Sequence, residues 1–108
     1  MFIHPASLAH WSETDLGTDS GAAAVRAAPG AGKHLFVTHI SGHTDTDSII
    51  TIKDGTTVVF ESSIDISVQG FSFCFNVGCI PITANTLAEA AVVTSTFDCQ
   101  VNMSGFTI

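Results

Sequence analysis

Three histidines lie close together in the sequence, and histidine is the commonest metal-ligating side chain. They are His34, His39 and His43, out of five histidines in the chain. On a β-strand, His34 and His39 point to opposite faces, because successive side chains alternate. His39 and His43 share a face, but Gly42 is expected to interrupt the strand between them. The spacing therefore favours scattered strand and loop histidines over a metal site, and we expect no metal and no cofactor.

Cysteines and acidic residues offer two further candidates for ligand chemistry. Cys74, Cys79 and Cys99 contain no Cys-x-x-Cys pair and are odd in number, which favours reduced, buried thiols over disulfides. Asp45 and Asp47 alternate with hydroxyl residues, but a calcium loop needs a longer run of ligands that ends in Glu. The pattern there favours a solvated loop.

Catalytic and phosphate-binding motifs are also absent. Residues 29–34 contain glycines and a lysine, but they lack the spacing of a phosphate-binding loop and precede a strand instead of a helix. There is no Gly-x-Ser-x-Gly motif, and no Ser or Cys stands in a recognisable setting with His. A small β-sandwich also has little room for an enclosed pocket. We therefore expect a binding or structural module and not an enzyme.

Charged residues are scarce in this chain. They make up 12% of its 108 residues, and ten acidic residues stand against three cations, for a net charge of −7. So few cations cannot neutralise a row of phosphates, which excludes nucleic acid and anionic membrane surfaces as partners. The first nine residues lack the pattern of a signal peptide, and no segment is apolar enough to span a membrane. A surface this poor in charge is expected to be covered by copies of the chain or by another protein.

The periodicity predicts an all-β domain. Apolar and polar residues alternate in short runs, and turn residues recur roughly every 8–12 residues, as in an antiparallel sandwich or barrel. Asp54 and Gly55 stand between two β-branched runs, which predicts a hairpin with a type I′ turn. Phe71, Phe73 and Phe75 share one face of a later strand, and this face is expected to lie either in the core or at a subunit interface.

The first 24 residues differ from the rest, and we interpret them as an extended N-terminal arm that precedes a β-sandwich domain of residues 25–108. Residues 1–24 follow neither a helical nor a strand period. A solvated tail would not ordinarily hold large apolar side chains. The arm nevertheless carries Phe2, Ile3, Leu8, Trp11 and Leu16. These side chains are expected either to pack back onto their own domain or to dock on a neighbouring subunit, and in the second case the arm is the attachment device.

Three turn motifs occur in order along the chain. They are Ala-Pro-Gly-Ala-Gly-Lys and the strand after it (residues 27–38), Asp-Gly-Thr-Thr (within 52–58), and a Pro followed by Thr-Ala-Asn-Thr (within 81–87). This series resembles a recurrent group of small virion proteins of tailed bacteriophages. The resemblance covers residues 25–108, and its motifs are made of turn residues.

The resemblance implies a jelly-roll-like β-sandwich with no catalytic residues to carry over. It implies a capsid decoration or cement protein that binds the major capsid protein and forms a homo-oligomer, a trimer or a dimer, on the virion assembled in the bacterial cytoplasm. A tail, head-fibre or receptor-binding module of the virion is the alternative. A glycan-binding sandwich outside any virion ranks lower, because Trp11 alone among Trp and Tyr residues could stack on a sugar.

Overall fold

The computed structural model describes residues 9–17, 21–65, 70–75, 79–93 and 98–108. These residues form strands joined by turns, and none of the described segments holds a helix that could cross a membrane. The strands are β1 (Ala9–Gly17), β2 (Gly21–Arg26), β3 (Leu35–Thr44), β4 (Ser48–Asp54), β5 (Thr57–Ile64), β6 (Gly70–Cys74), β7 (Ile80–Pro81), β8 (Ala88–Val93) and β9 (Cys99–Thr107).

The strands form two antiparallel sheets that pack as a sandwich. Sheet A has the order β1-β9-β3-β6, with the short β7 also paired to β3, and sheet B has the order β2-β8-β4-β5. The first strand therefore pairs with the last, β2 with β8, β3 with β6 and β7, and β4 with β5. This nesting of paired strands is the strand order of a jelly roll. The predicted fold class, an antiparallel sandwich of jelly-roll type, is confirmed.

The core lies between the two sheets and follows the two-residue period of the strands. In β9, for example, Val101 and Met103 are buried, and Gln100, Asn102 and Ser104, which alternate with them, are partly exposed. The other fully covered apolar side chains are Leu35, Val37, Ile40, Ile50, Ile52, Ile82, Ala88, Ala90, Val92 and Cys99. Each large side chain removed from water in this way contributes about 1.5–3 kcal/mol before entropy costs.

The hairpin between β4 and β5 is confirmed, but its predicted turn type is wrong. Asp54 pairs with Thr57, so the loop residues are Gly55 and Thr56. Of these two, Gly55 has the positive φ, +62°. A single positive φ at a glycine in the first loop position is the geometry of a type II′ turn, which suits the twist of a hairpin as well as type I′ does. Asp54 is the last paired residue of β4 and not a loop residue.

The predicted boundary between arm and domain at residue 24 does not hold for the described residues. β1 pairs along its whole length with β9, and β2 begins at Gly21. Trp11 is only 7% exposed and belongs to the core. The sequence of β1 does not show the alternation of apolar and polar residues that is typical of a strand, because Glu13 and Asp15 occupy its inward-facing positions. They are tolerated there because β1 is an edge strand, where inward-pointing charges also discourage pairing with another chain.

The same two acidic residues close one side of the sandwich. Glu13 forms an ion pair of 3.1 Å with Arg26 of β2, and the Arg26 guanidinium lies 5.6 Å from the centre of the Trp11 ring. Asp15 accepts a hydrogen bond of 2.9 Å from the backbone N–H of Ala23. The opposite side, between β5 and β6, is closed by phenylalanine rings instead. These contacts leave the outer faces of the two sheets as the broad surfaces of the described molecule.

Candidate functional site

The outer face of sheet B, called face B below, exposes apolar side chains on neighbouring strands. Its side chains alternate with the core residues of the same strands. Val93 is 57% exposed, Val58 46%, Val25 44% and Ile49 41%. Face B consists of Gly21, Ala23, Val25, Ile49, Thr51, Lys53, Val58, Glu61, Ser63, Glu89, Ala91 and Val93. Val93 and Ile49 are register partners and form an exposed apolar pair, whereas Val25 and Val58 lie at the two edges of the face. Adjoining exposed apolar side chains on a small soluble domain favour an interaction surface.

Small residues occupy the middle of face B, so the side chains there project little from the sheet. Ala91 and Thr51 are register partners there, and each is only 8% exposed although both point outward. The Thr51 hydroxyl is buried without a hydrogen-bond partner, which is costly for a polar group. On the neighbouring strand β2, Gly21 and Ala23 are small, and Val25 is the one larger side chain that β2 adds to the face. Face B is therefore a flat surface suited to contact with another flat surface.

The outer face of sheet A, called face A below, is polar and carries no Asp, Glu, Lys or Arg side chain on its described strands. It consists of His10, Ser12, Thr14, Leu16, Phe36, His39, Ser41, His43, Ser72, Cys74, Gln100, Asn102, Ser104 and Phe106. Asn102 stands at its centre: the amide oxygen accepts hydrogen bonds from the Thr14 hydroxyl (2.9 Å) and the Gln100 amide (3.1 Å). At one end the rings of Phe36 and Phe106 stack with their centroids 5.1 Å apart. Face A thus presents hydroxyl, amide and imidazole groups and one small aromatic cluster.

The histidine prediction was right about the parity of His39 and His43 but wrong about Gly42. β3 runs unbroken from Leu35 to Thr44, so both histidines lie on face A. They stand four residues apart on one strand, roughly 13 Å, which is too far to share an ion. Instead, His39 Nε2 lies 2.9 Å from the Ser72 hydroxyl, and His43 Nε2 lies 3.5 Å from the Asp98 carboxylate.

Neither of these contacts forms a complete catalytic or metal centre. A Ser–His pair needs an acceptor that orients the imidazole and donors for a developing oxyanion. Ser72 and His39 lie on an open sheet face, and their mutual contact is the one hydrogen bond that the described side chains provide to His39. Across the described segments, no three His, Cys, Asp or Glu side chains are placed to hold a metal ion.

The three cysteines differ more than the sequence suggested. Cys99 is buried in the core as expected, and burial raises the pKa of its thiol above the ordinary value of 9.0. Cys79 is half-buried. Cys74, contrary to expectation, is exposed on face A, because β6 directs its phenylalanines inward and its alternate residues outward.

An open cleft of about 480 Å³ lies beside the edge strands β1 and β2. Its lining includes Glu13, Arg26 and Lys33 together with small apolar residues such as Val25 and Pro29. Two of the three cations of the chain are therefore here, but Arg26 is already paired with Glu13. The lining therefore carries one cation in excess, Lys33.

The structure separates the interface residues predicted from the sequence. Phe2, Ile3 and Leu8 lie outside the described residues. Trp11 is part of the core and cannot serve as a docking anchor, whereas Leu16 is 66% exposed at the edge of face A.

The predicted row of phenylalanines faces the core and not the solvent. Phe71 is buried, and Phe73 and Phe75 are partly buried and pack against the core. The rings of Phe73 and Phe75 lie 5.3 Å and 5.2 Å from that of Phe60, which closes the side of the sandwich between β5 and β6. These rings fill the sandwich, so the remaining candidate for an exposed apolar contact is face B.

Sequence reasoning missed face B, although a signal for it was present. Ile49 and Ile50 are adjacent in β4, and Val92 and Val93 are adjacent in β8, so each strand carries large apolar residues on both faces. In a two-layer sandwich one of these faces must be external. An apolar external face is then expected to need a cover from outside the chain.

The three turn motifs come together at one end of the sandwich. Asn85, in the left-handed region with φ of +50°, accepts a hydrogen bond of 2.9 Å from the Gly30 N–H and donates one of 2.9 Å to the Lys33 carbonyl. The Asp54 carboxylate accepts hydrogen bonds from the backbone N–H (3.1 Å) and the hydroxyl (2.6 Å) of Thr83. The motifs therefore specify how three connections pack together, which is a structural role and not a catalytic one.

Comparison with known proteins assigns no family to this geometry. No protein-family model matches the chain, and no curated protein matches it. The function is therefore inferred from the two sheet faces, the packed turn motifs and the resemblance that those motifs carry.

Proposed function

We propose that this protein is a structural virion component of a tailed phage, a capsid decoration protein that binds the major capsid protein and stabilises the head. The observation that carries the proposal is face B, an exposed, flat and largely apolar surface on a jelly-roll sandwich. Exposed apolar side chains on one sheet face favour contact with another protein surface. The turn motifs that resemble those of virion proteins point to the particle as the setting.

Decoration needs no chemistry of its own. The protein would add apolar and hydrogen-bonded contacts across the boundaries between capsomers, and these contacts would resist the outward pressure of packaged DNA. Its net charge of −7 keeps it away from that DNA. Attachment in a symmetric shell is multivalent, so each individual contact can be weak.

The N-terminal residues remain the proposed attachment segment, in a shorter form than the sequence suggested. Residues 9–17 belong to β1, so we restrict the proposed attachment segment to residues 1–8, which lie outside the described residues and contain Phe2, Ile3 and Leu8. Each of these side chains contributes about 1.5–3 kcal/mol if it is buried on the capsid. Fixing only a few backbone residues around them costs about 1–2 kcal/mol each, so a short segment can bind with net gain.

Co-sedimentation tests the proposal. Purified full-length chain and a variant lacking residues 1–8 are each mixed with phage heads that lack the protein, after both have been shown to unfold cooperatively. The proposal expects saturable binding of the full-length chain and loss of binding for the shortened one. Equal binding of both would place the attachment surface on the sandwich. Failure of the full-length chain to bind would overturn the decoration role.

One observation favours the alternative, a tail, head-fibre or receptor-binding module. Face A offers amide groups from Asn102 and Gln100 and the imidazole of His39, hydrogen-bonding groups that suit a hydroxyl-rich receptor such as a surface glycan. A receptor-binding module would bind cell-wall polysaccharide of the host and would not bind empty heads. Co-sedimentation of the full-length chain with phage heads and, separately, with host cells therefore separates the two functions.

A further inference from the structure

The strand register arranges face B as a grid of three rows across four strands. Read from β2 through β8 and β4 to β5, the rows are Gly21, Val93, Ile49 and Ser63; Ala23, Ala91, Thr51 and Glu61; and Val25, Glu89, Lys53 and Val58. The first row is uncharged, and the third places Glu89 beside Lys53 at its centre. Among the described residues the ion pairs involve Arg26 and His43, so no described side chain forms an ion pair with either of these two central charges.

We propose that face B is the interface of a symmetric homodimer, with the two-fold axis parallel to the strands and passing between β8 and β4. Such an axis places β8 of one copy opposite β4 of the other and keeps each row opposite itself. Two sheets related in this way pack with their strands aligned, which is a common arrangement for sheet faces. The inference concerns the chain alone and holds whether or not the protein is part of a phage particle.

This axis makes the face complementary to itself in charge. Glu89 of one copy lies opposite Lys53 of the partner subunit, and the symmetry creates the same pair a second time. At the other end of the grid Val93 lies opposite Ile49 of the partner subunit, again twice. The low Ala91 lies opposite Thr51 of the partner subunit, so the centre of the interface closes without a clash of large side chains.

The other in-plane axis, perpendicular to the strands, is excluded by the same grid. It would place the first row opposite the third. Val93 would then lie opposite Glu89 of the partner subunit, and Ile49 opposite Lys53 of the partner subunit. Both contacts would bury a charge against an apolar side chain, which is unfavourable without a partner for the charge. The charge pattern therefore selects one dimer over the other.

The area of face B fits a reversible dimer. Four strands about 4.8 Å apart and six residues with a rise of about 3.3 Å cover roughly 400 Å² per copy. Stable specific interfaces bury about 800 Å² per partner, so this contact belongs to the weak, concentration-dependent class. Glu61 lies at the β5 edge, where it faces the small Ala23 of the partner subunit and stays in contact with water.

Two single charge reversals and their mixture test the proposal by sedimentation of the full chain at concentrations up to about 1 mM. In Lys53→Glu every charge at the centre of the interface is negative, and in Glu89→Lys every one is positive. Each variant alone should therefore dissociate at least about tenfold more readily than the original chain. Mixed together, the two variants regain both cross-subunit pairs, so an equimolar mixture should form a heterodimer of twice the 11.2 kDa chain mass.

The mixture distinguishes a broken interface from a damaged fold. A variant that is misfolded alone stays misfolded when it is mixed, so a heterodimer can form only if both variants are folded. Val93→Glu provides an apolar test of the same face, and Leu16→Glu is its matched control on face A. The proposal expects loss of dimer for Val93→Glu and none for Leu16→Glu. A chain that is monomeric up to the highest concentration, that forms a trimer, or whose single variants dimerise as well as their mixture would overturn it.

Discussion

Replacing Gly55 with valine should destabilise the fold, because the turn between β4 and β5 requires a backbone conformation that valine avoids. Gly55 has φ of +62°, and a Cβ atom there would lie 3.1 Å from the Thr86 methyl group. A β-branched residue held at positive φ costs about 1–3 kcal/mol. For a domain of this size each kcal/mol lowers the melting temperature by roughly 4 °C, so Gly55→Val should melt about 4–12 °C below the original chain.

The assay is thermal unfolding followed by far-UV circular dichroism at equal protein concentrations. Thr56→Val is the matched control, since it introduces the same side chain at the next loop position, which is exposed and has no positive φ. The control should stay within about 0.5 kcal/mol of the original chain. Equal melting temperatures for Gly55→Val and the original chain would refute the assigned turn. Equal losses for both variants would mean that valine is harmful for a reason other than backbone strain.

Three further predictions concern close packing and the burial of a thiol. A Cβ atom at Gly105 would overlap the Phe36 carbonyl oxygen, so Gly105→Ala should lower the free energy of unfolding, measured in denaturant, by about 3 kcal/mol. Gly70→Ala is the control and should lose almost nothing, because a Cβ atom there lies 3.7 Å from its nearest neighbour. A mild effect at Gly105 would contradict the close packing of β3 on β9. The Cys99 thiol should resist alkylation in the folded protein, because it is buried and its burial raises its pKa, whereas the exposed Cys74 thiol should react. Peptide mass spectrometry measures the extent of alkylation at each cysteine. Because the folded protein holds the Cys99 proton more tightly than the unfolded chain does, the contribution of this thiol to the free energy of unfolding is fully present below the ordinary thiol pKa of 9.0 and falls as the pH rises above it. A free energy of unfolding that does not change up to about pH 10 would count against the burial of Cys99.

Local sequence signals were sufficient to predict the elements that depend on neighbouring residues and on the two-residue period of a strand. The β4–β5 hairpin was predictable because a glycine between β-branched runs has few alternatives. The inward direction of Phe71 was one of two expectations, and the structure selects the core because β6 pairs with β3 at the place where Gly42 leaves room for the ring. Such features depend on residues near in sequence or on a period of two.

Features that depend on distant parts of the chain were not predictable in the same way. β1 reads as a loop because Glu13 faces inward, and the reason is its contact with Arg26 on the other sheet. β3 continues through Gly42 because β9 supplies a pairing partner on that side throughout. Face B became recognisable only when the register placed Ile49 beside Val93. In each case a long-range pairing overrides the local preference of the residues involved.

The copy number of the protein on purified particles tests the proposed function most directly. It can be measured by quantitative mass spectrometry against the major capsid protein, on purified particles of the proposed phage. A decoration protein that covers a symmetric shell should be present on the order of hundreds of copies, in a fixed ratio to the capsid protein. A few to some dozens of copies would support a tail or fibre module instead, and complete absence from the particles would contradict the virion assignment.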